Sequence, residues 1–222
     1  MLHRILAAAL VAAGLACGSA QAASCPAFPP ATITFVPLPS EVQRDTSRSA
    51  KDIAATSATP DKAKPVSYEH TAAASVAHKD SVQKLPDGTF CAGVSEVIFK
   101  LGYQRKVFIA SELADNQCIV NTVVDFEAPQ IKADDDALAQ FGAALSKTYA
   151  ADVKAIGATT GATQDDAVKA LKEKVSALLN NKVYADFGKQ VAAATATVDT
   201  SKWQIDKCDG ATAKAFASAG IK

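Results

Sequence analysis

Between residues 94 and 156 the hydrophobic period of the chain changes from two to about 3.6, which restricts it to folds that pack strands against helices. Residues 94–101 and 104–110 are rich in β-branched and aromatic side chains, and Gly102-Tyr103 between them reads as the turn of an antiparallel hairpin. Val94, Ile98 and Glu96 fall on one face of the first run, and Val97, Phe99 and Leu101 on the other. At least one face must therefore pack against a helix. From Asp134 onward Leu138, Phe141, Leu145, Tyr149, Val153 and Ile156 recur at helical spacing and stop at Gly157. Three aspartates, Asp134 to Asp136, suit the positive start of that helix. A second apolar stripe, Val168, Leu171, Val175, Leu178 and Leu179, follows a capping-box start at Thr163 and Asp166, and Asp165 and Lys169 are spaced to support it. Residues 183–196 continue this helix or form a third. The expected fold is α+β: a small antiparallel hairpin or sheet packed against several amphipathic helices and stabilised by disulfides.

The segments flanking this block are weaker. Residues 31–39 read as a short edge strand ending in prolines, and residues 40–58 as a solvated helix or a loop. Residues 59–88, with Pro60, Pro65 and Pro86 among many polar residues, suit a linker, a long surface loop or an extended edge strand. Residues 118–127 suit a strand or a helix, because their β-branched side chains each disfavour a helix by a few tenths of a kcal/mol. Pro129 is expected to kink or end a helix near Ala128. Trp203 and Ile205 are expected to pack back near Cys208, with the last dozen residues frayed.

The amino terminus has the form of a cleaved export signal. His3 and Arg4 precede an apolar run, and Ser19-Ala20-Gln21-Ala22 ends in the small-x-small pattern of a cleavage site. The apolar run is shorter than the roughly 20 residues that span a bilayer, so no transmembrane helix is expected after cleavage. Neither Cys17 nor Cys25 lies in a good lipidation context, which favours a free periplasmic or secreted protein over a lipoprotein. The expected division is residues 1–22 as signal, 23–58 as an N-terminal strand and polar segment, 59–88 as a linker or long loop, and 89–222 as the hairpin and helical domain.

Removal of the signal leaves Cys25, Cys91, Cys118 and Cys208 in an oxidising compartment, enough for two disulfides. Cys91 and Cys118 bracket the expected hairpin, which favours pairing them and leaves Cys25 with Cys208, although three connectivities are possible. No C-x-x-C pair is present to suggest a zinc site. The formal net charge of +0 and the lack of a basic tract argue against a nucleic-acid partner, whose phosphates need a cationic face. With 6% aromatic residues and abundant alanine, much of the chain should be helical.

Residues 94–138 resemble a family of bacterial secreted proteins of unknown function regarded as zinc-dependent peptidases. The resemblance rests on Val107-Phe108-Ile109, Glu112, Cys118, Val123-Val124 and Glu127. It implies an H-E-x-x-H motif where this chain has Phe126-Glu127-Ala128-Pro129-Gln130. In that motif two imidazoles hold zinc and the glutamate activates its water, whereas here both histidines are replaced. Glu127 is thus the sole, weak catalytic candidate and reads most simply as a surface or helix-end carboxylate. His70 and His78 are weak metal candidates in a polar stretch, Asp125 lies near the aspartate cluster without calcium-loop spacing, and Ser95 and Ser111 lack a serine-hydrolase setting. The expected function is an exported envelope protein, a non-catalytic relative of such peptidases, that binds a protein, peptide or cell-wall ligand without a cofactor. The alternatives are a metal-dependent hydrolase with non-standard ligands, zinc among them, and a helical envelope protein that self-associates.

Overall fold

The structure, a computed structural model, describes residues 24–56, 66–196, 198 and 208–218. The expected export signal, the prolines at 60 and 65, and Trp203 and Ile205 lie outside the described residues. One strand organises the fold. β4 (Phe90–Ile109) is flanked along one edge by β3 (Val66–Lys84), antiparallel to it. Its other edge is shared end to end by β5 (Ala158–Gly161), antiparallel, and by β1 (Thr32–Pro37) and β2 (Val42–Asp45), both parallel. Helix and sheet are both present as expected, but the sheet is a five-stranded mixed one with parallel pairs and not a small antiparallel hairpin.

The expected turn at Gly102-Tyr103 does not form, because β4 runs straight through it. Gly102 instead admits the link between β1 and β2. A Cβ there would lie 2.7 Å from the Leu38 Cβ, and the Leu38 N–H donates to the Leu101 carbonyl at 2.7 Å. The chain reverses earlier, at Leu85 to Thr89, where Gly88 has φ +88° and the Leu85 N–H donates to the Thr89 carbonyl at 2.8 Å. Residues 66–84 accordingly form the extended edge strand and not a linker or loop.

α2 (Gln117–Ile156) starts at the Asn116 cap, whose side chain accepts from the Ile119 N–H, and ends at Gly157 with φ 60°. It passes through Pro129 without ending near Ala128, and residues 118–127 are helical. Burial explains both outcomes. Ile119 and Val123 lie against the sheet, and each such burial is worth about 1.5–3 kcal/mol, more than their intrinsic preference against helix. Pro129 is on the exposed side of the helix, where its ring meets solvent and not the sheet. Asp134 to Asp136 therefore sit in mid-helix and not at its start.

α3 (Gln164–Val175) begins with the Thr163–Asp166 capping box and passes through a π turn, Ser176–Asn180, into α4 (Asn181–Thr195). α1 (Ala50–Ala55) and α5 (Ala211–Ser218) are short. α2 and α4 cover one face of the sheet: Tyr149 packs on Phe99 and Phe187 on Tyr103, with ring centroids 5.3 Å apart in each pair. The other face bears exposed Glu69, Thr71, Ser75, Lys100 and Gln104.

Apolar packing falls into two clusters. One joins the Ala92–Tyr103 part of β4 to α2 beyond Leu138, α3 and α4; the other joins Val107–Ala110 to α1, Val66, Ile119 and Val123. The disulfides follow this division: Cys25 bonds Cys91 at one end of β4, and Cys118 bonds Cys208 at the other. The expected pairing of Cys91 with Cys118 is thereby overturned. An unbroken strand at about 3.3 Å per residue puts them at opposite ends of the sheet, where a hairpin would have brought them together.

Candidate functional site

The two apolar clusters are separated by a layer of charged and hydroxyl groups between α2 and the sheet. Period 3.6 puts Glu127, Gln130 and Asp134 on the sheet-facing side of α2, and all three are buried. Opposite them, period two in the strands brings Arg44 from β2, Tyr68 and His70 from β3, and Tyr103 and Arg105 from β4 to the same face. The Asp134 carboxylate, 0% exposed, accepts from the Tyr68 hydroxyl, meets His70 Nδ1 at 2.8 Å and accepts from Arg105 Nε at 3.4 Å. Its backbone carbonyl accepts from the Tyr103 hydroxyl at 2.8 Å. Arg105 also reaches Asp135 at 2.6 Å, and its guanidinium lies 4.9 Å from the Tyr103 ring centroid. Arg44 donates to Glu127 Oε1.

The electrostatics follow from burial and these contacts. Burial, then the hydrogen bond and charge of Asp134, pushes the Tyr68 hydroxyl well above the usual tyrosine range. Burial and the Asp134 charge do the same to Tyr103. Burial opposes the charge on Arg105, but the Asp135 hydrogen bond and the surrounding negative charge leave its pKa raised. These groups hold fixed protonation states at neutral pH. Among the described residues, Glu127 Oε2 and Gln130 Nε2 are buried without a hydrogen-bond partner.

Glu127 is on the interior side of α2 and not a surface or helix-end carboxylate. Phe126 packs against the second apolar cluster. The zinc implied by the resemblance does not fit this donor set: a guanidinium already neutralises Glu127, and Phe126 offers no lone pair. His70 and His78 lie on β3 with side chains 22% and 12% exposed, not on a solvated loop. They are eight residues apart on one strand, about 26 Å at 3.3 Å per residue, and cannot share an ion. Among the described residues no group of three or more His, Cys, Asp or Glu side chains converges as a metal site.

Arg44, Tyr68, Tyr103 and Arg105 were not singled out from the sequence. One signal for Arg105 was present: a charged residue interrupting the alternating row Val97, Phe99, Leu101, Tyr103 and Val107 implies a buried counter-charge on the facing element. On the open sheet face a polar cleft of about 570 Å³ is lined by Glu41, Gln43, Glu69, Gln104, Lys106 and Phe108, among others. The Phe108 ring is covered by the Arg48 guanidinium, 3.6 Å from its centroid. Comparison with protein-family models, curated proteins and solved structures finds no match to this chain. The fold defines a class only: a two-layer α+β protein with a mixed sheet, stapled at both ends by disulfides.

Proposed function

We propose that this chain is an exported cell-envelope protein, a non-catalytic relative of secreted zinc peptidases, that acts by binding a protein, peptide or cell-wall component. The observation that carries this reading is the Arg44–Glu127 ion pair. The one glutamate retained from the peptidase pattern is buried and neutralised by a guanidinium, with Phe126 and Gln130 in the ligand positions, so it is not poised to activate a metal-bound water. Export is supported by the amino-terminal pattern and by the two disulfides, which persist in oxidising compartments. No helix among the described residues is long and apolar enough to cross a membrane. The uncovered sheet face and its polar cleft are the surface offered to a partner.

The test is metal content and peptide hydrolysis measured on the same oxidised sample, dialysed against zinc and then against a weak chelator. Retained metal well below one ion per chain with no peptide cleavage supports the reading. One zinc per chain, lost in Glu127→Gln, overturns it in favour of a metal-dependent hydrolase.

A further inference from the structure

β3 presents a free edge. It pairs with β4 from Val66 to Lys84, and among the described residues no strand lies along its other side. Such an edge is a row of unpaired N–H and C=O groups, and proteins usually blunt it with proline, charged side chains, an outward bulge or a cover. β3 contains no proline. The register shift at Lys79/Asp80 skips a residue on β4, so β3 itself is continuous.

The sequence of this edge is complementary to itself when reversed. With Ala74 placed opposite Ala74 of a second copy, Glu69 meets Lys79, His70 meets His78, Ala72 meets Val76 and Val66 meets Val82. Residues directly opposite in an antiparallel pair share a face, so both Glu69–Lys79 contacts fall on the open side of the sheet. The intramolecular partners extend each contact instead of competing with it. Glu69 is held by Arg48 at 2.9 Å and Lys79 by Glu96 at 2.7 Å, which gives an alternating row of Arg48, Glu69, Lys79 of the second copy and its Glu96. A shift of two residues puts Glu69 opposite Ala77 or Ser81, and a parallel arrangement puts Glu69 beside Glu69.

We infer that two copies of this chain associate through the β3 edges, antiparallel about Ala74, to form one continuous sheet across a two-fold axis. The interface is isologous, so each contact occurs twice and the assembly closes at two copies. The occupant of the edge is a second copy and not a foreign strand, because the charge pattern is satisfied by its own reversal.

The test is sedimentation velocity over a concentration series of the oxidised protein, with Glu69→Lys and Lys79→Glu alone and mixed in equal amounts. The substituted side chains are 46% and 67% exposed, so the variants should keep the native far-UV spectrum. The expected result is a wild type that shifts from one chain to two, and single variants weakened about tenfold or more, since two attractive pairs become repulsive. The mixture regains the dimer, because one variant then carries lysine at both positions and faces a partner that carries glutamate at both. Ala74→Cys, the position that meets itself, should yield a covalent dimer on mild oxidation. A wild type of single-chain mass throughout, a dimer insensitive to both variants, or an Ala74→Cys protein that remains uncrosslinked overturns the inference.

Discussion

Arg105 of β4 and Asp134 of α2 meet 3.4 Å apart between the two apolar clusters, with side chains 3% and 0% exposed. The pair tells the long helix where it stands against the long strand. Apolar contacts alone tolerate sliding, whereas a buried charge left unpaired costs several kcal/mol, so the pair is expected to favour this register of α2 on the sheet.

Removing one partner of this pair should be far more harmful than removing both. Asp134→Ala is expected to lower unfolding free energy by about 3–5 kcal/mol, because it leaves Arg105 buried beside a single exposed carboxylate. Arg105→Met combined with Asp134→Ala should recover much of the loss. Urea melts of the wild type, Asp134→Ala, Arg105→Met and the double variant form the double-mutant cycle, and additive losses would show that the two residues are not coupled.

Alkaline titration should show three reluctant tyrosines. Burial leads the upward shifts of Tyr68, Tyr103 and Tyr149, reinforced by the charges of Asp134 for the first two and of Asp186 for the third. Since the folded pKa lies above the unfolded value of about 10, this stabilisation is full below pH ~10 and is lost as pH rises beyond it. Absorbance at the tyrosinate band should rise for these three only with loss of tertiary circular dichroism. Three reversible ionisations near the unfolded value in a still-folded protein would contradict the buried layer.

Asp45 should titrate at about 2, chiefly because the Ser47 hydroxyl and backbone N–H donate to its carboxylate, with Lys106 adding a smaller effect. The folded pKa lies below the unfolded value of about 3.9, so its contribution is complete above pH ~4 and is lost as pH falls toward 2. Carboxyl-carbon NMR should show that midpoint, moved upward in Ser47→Ala. An unchanged midpoint in the variant would remove Ser47 as the cause.

Peptide mapping of the unreduced protein should recover Cys25 with Cys91 and Cys118 with Cys208. Replacing Cys118 and Cys208 together by serine should cost about 4–5 kcal/mol in the chain-entropy account, for a loop whose ends are 90 residues apart. A thermal melt compared with the wild type measures it. A fragment linking Cys91 to Cys118 would refute the unbroken β4.

Local chemistry made much of the helical half legible. The stripe from Leu138 to Ile156, the stop at Gly157 and the capping box at Thr163 all act within one or two turns, and the structure keeps each of them. The errors, and the readings that stayed open, have a common origin in contacts distant along the chain. Gly102 reads as a turn until Leu38 is laid across it. Residues 118–127 read as strand or helix until Ile119 and Val123 find the sheet. β3 has too few apolar residues to declare itself, and becomes a strand because β4 offers it a full ladder of hydrogen bonds. Glu127 reads as a surface carboxylate until Arg44, far earlier in the chain, arrives beside it.

By itself, then, the sequence determined the helix periods and their caps, the near-zero net charge, and the presence of enough cysteines for two disulfides, because each depends on residue type and short spacing. Only the tertiary structure decided the strand order, the disulfide pairing, the charged layer around Asp134 and the free edge of β3. These depend on which segments far apart in sequence become neighbours, and hydrophobic burial rewards many such pairings almost equally. The choice among them falls to the few directional contacts, Arg105 with Asp134 and Arg44 with Glu127, that only one arrangement satisfies.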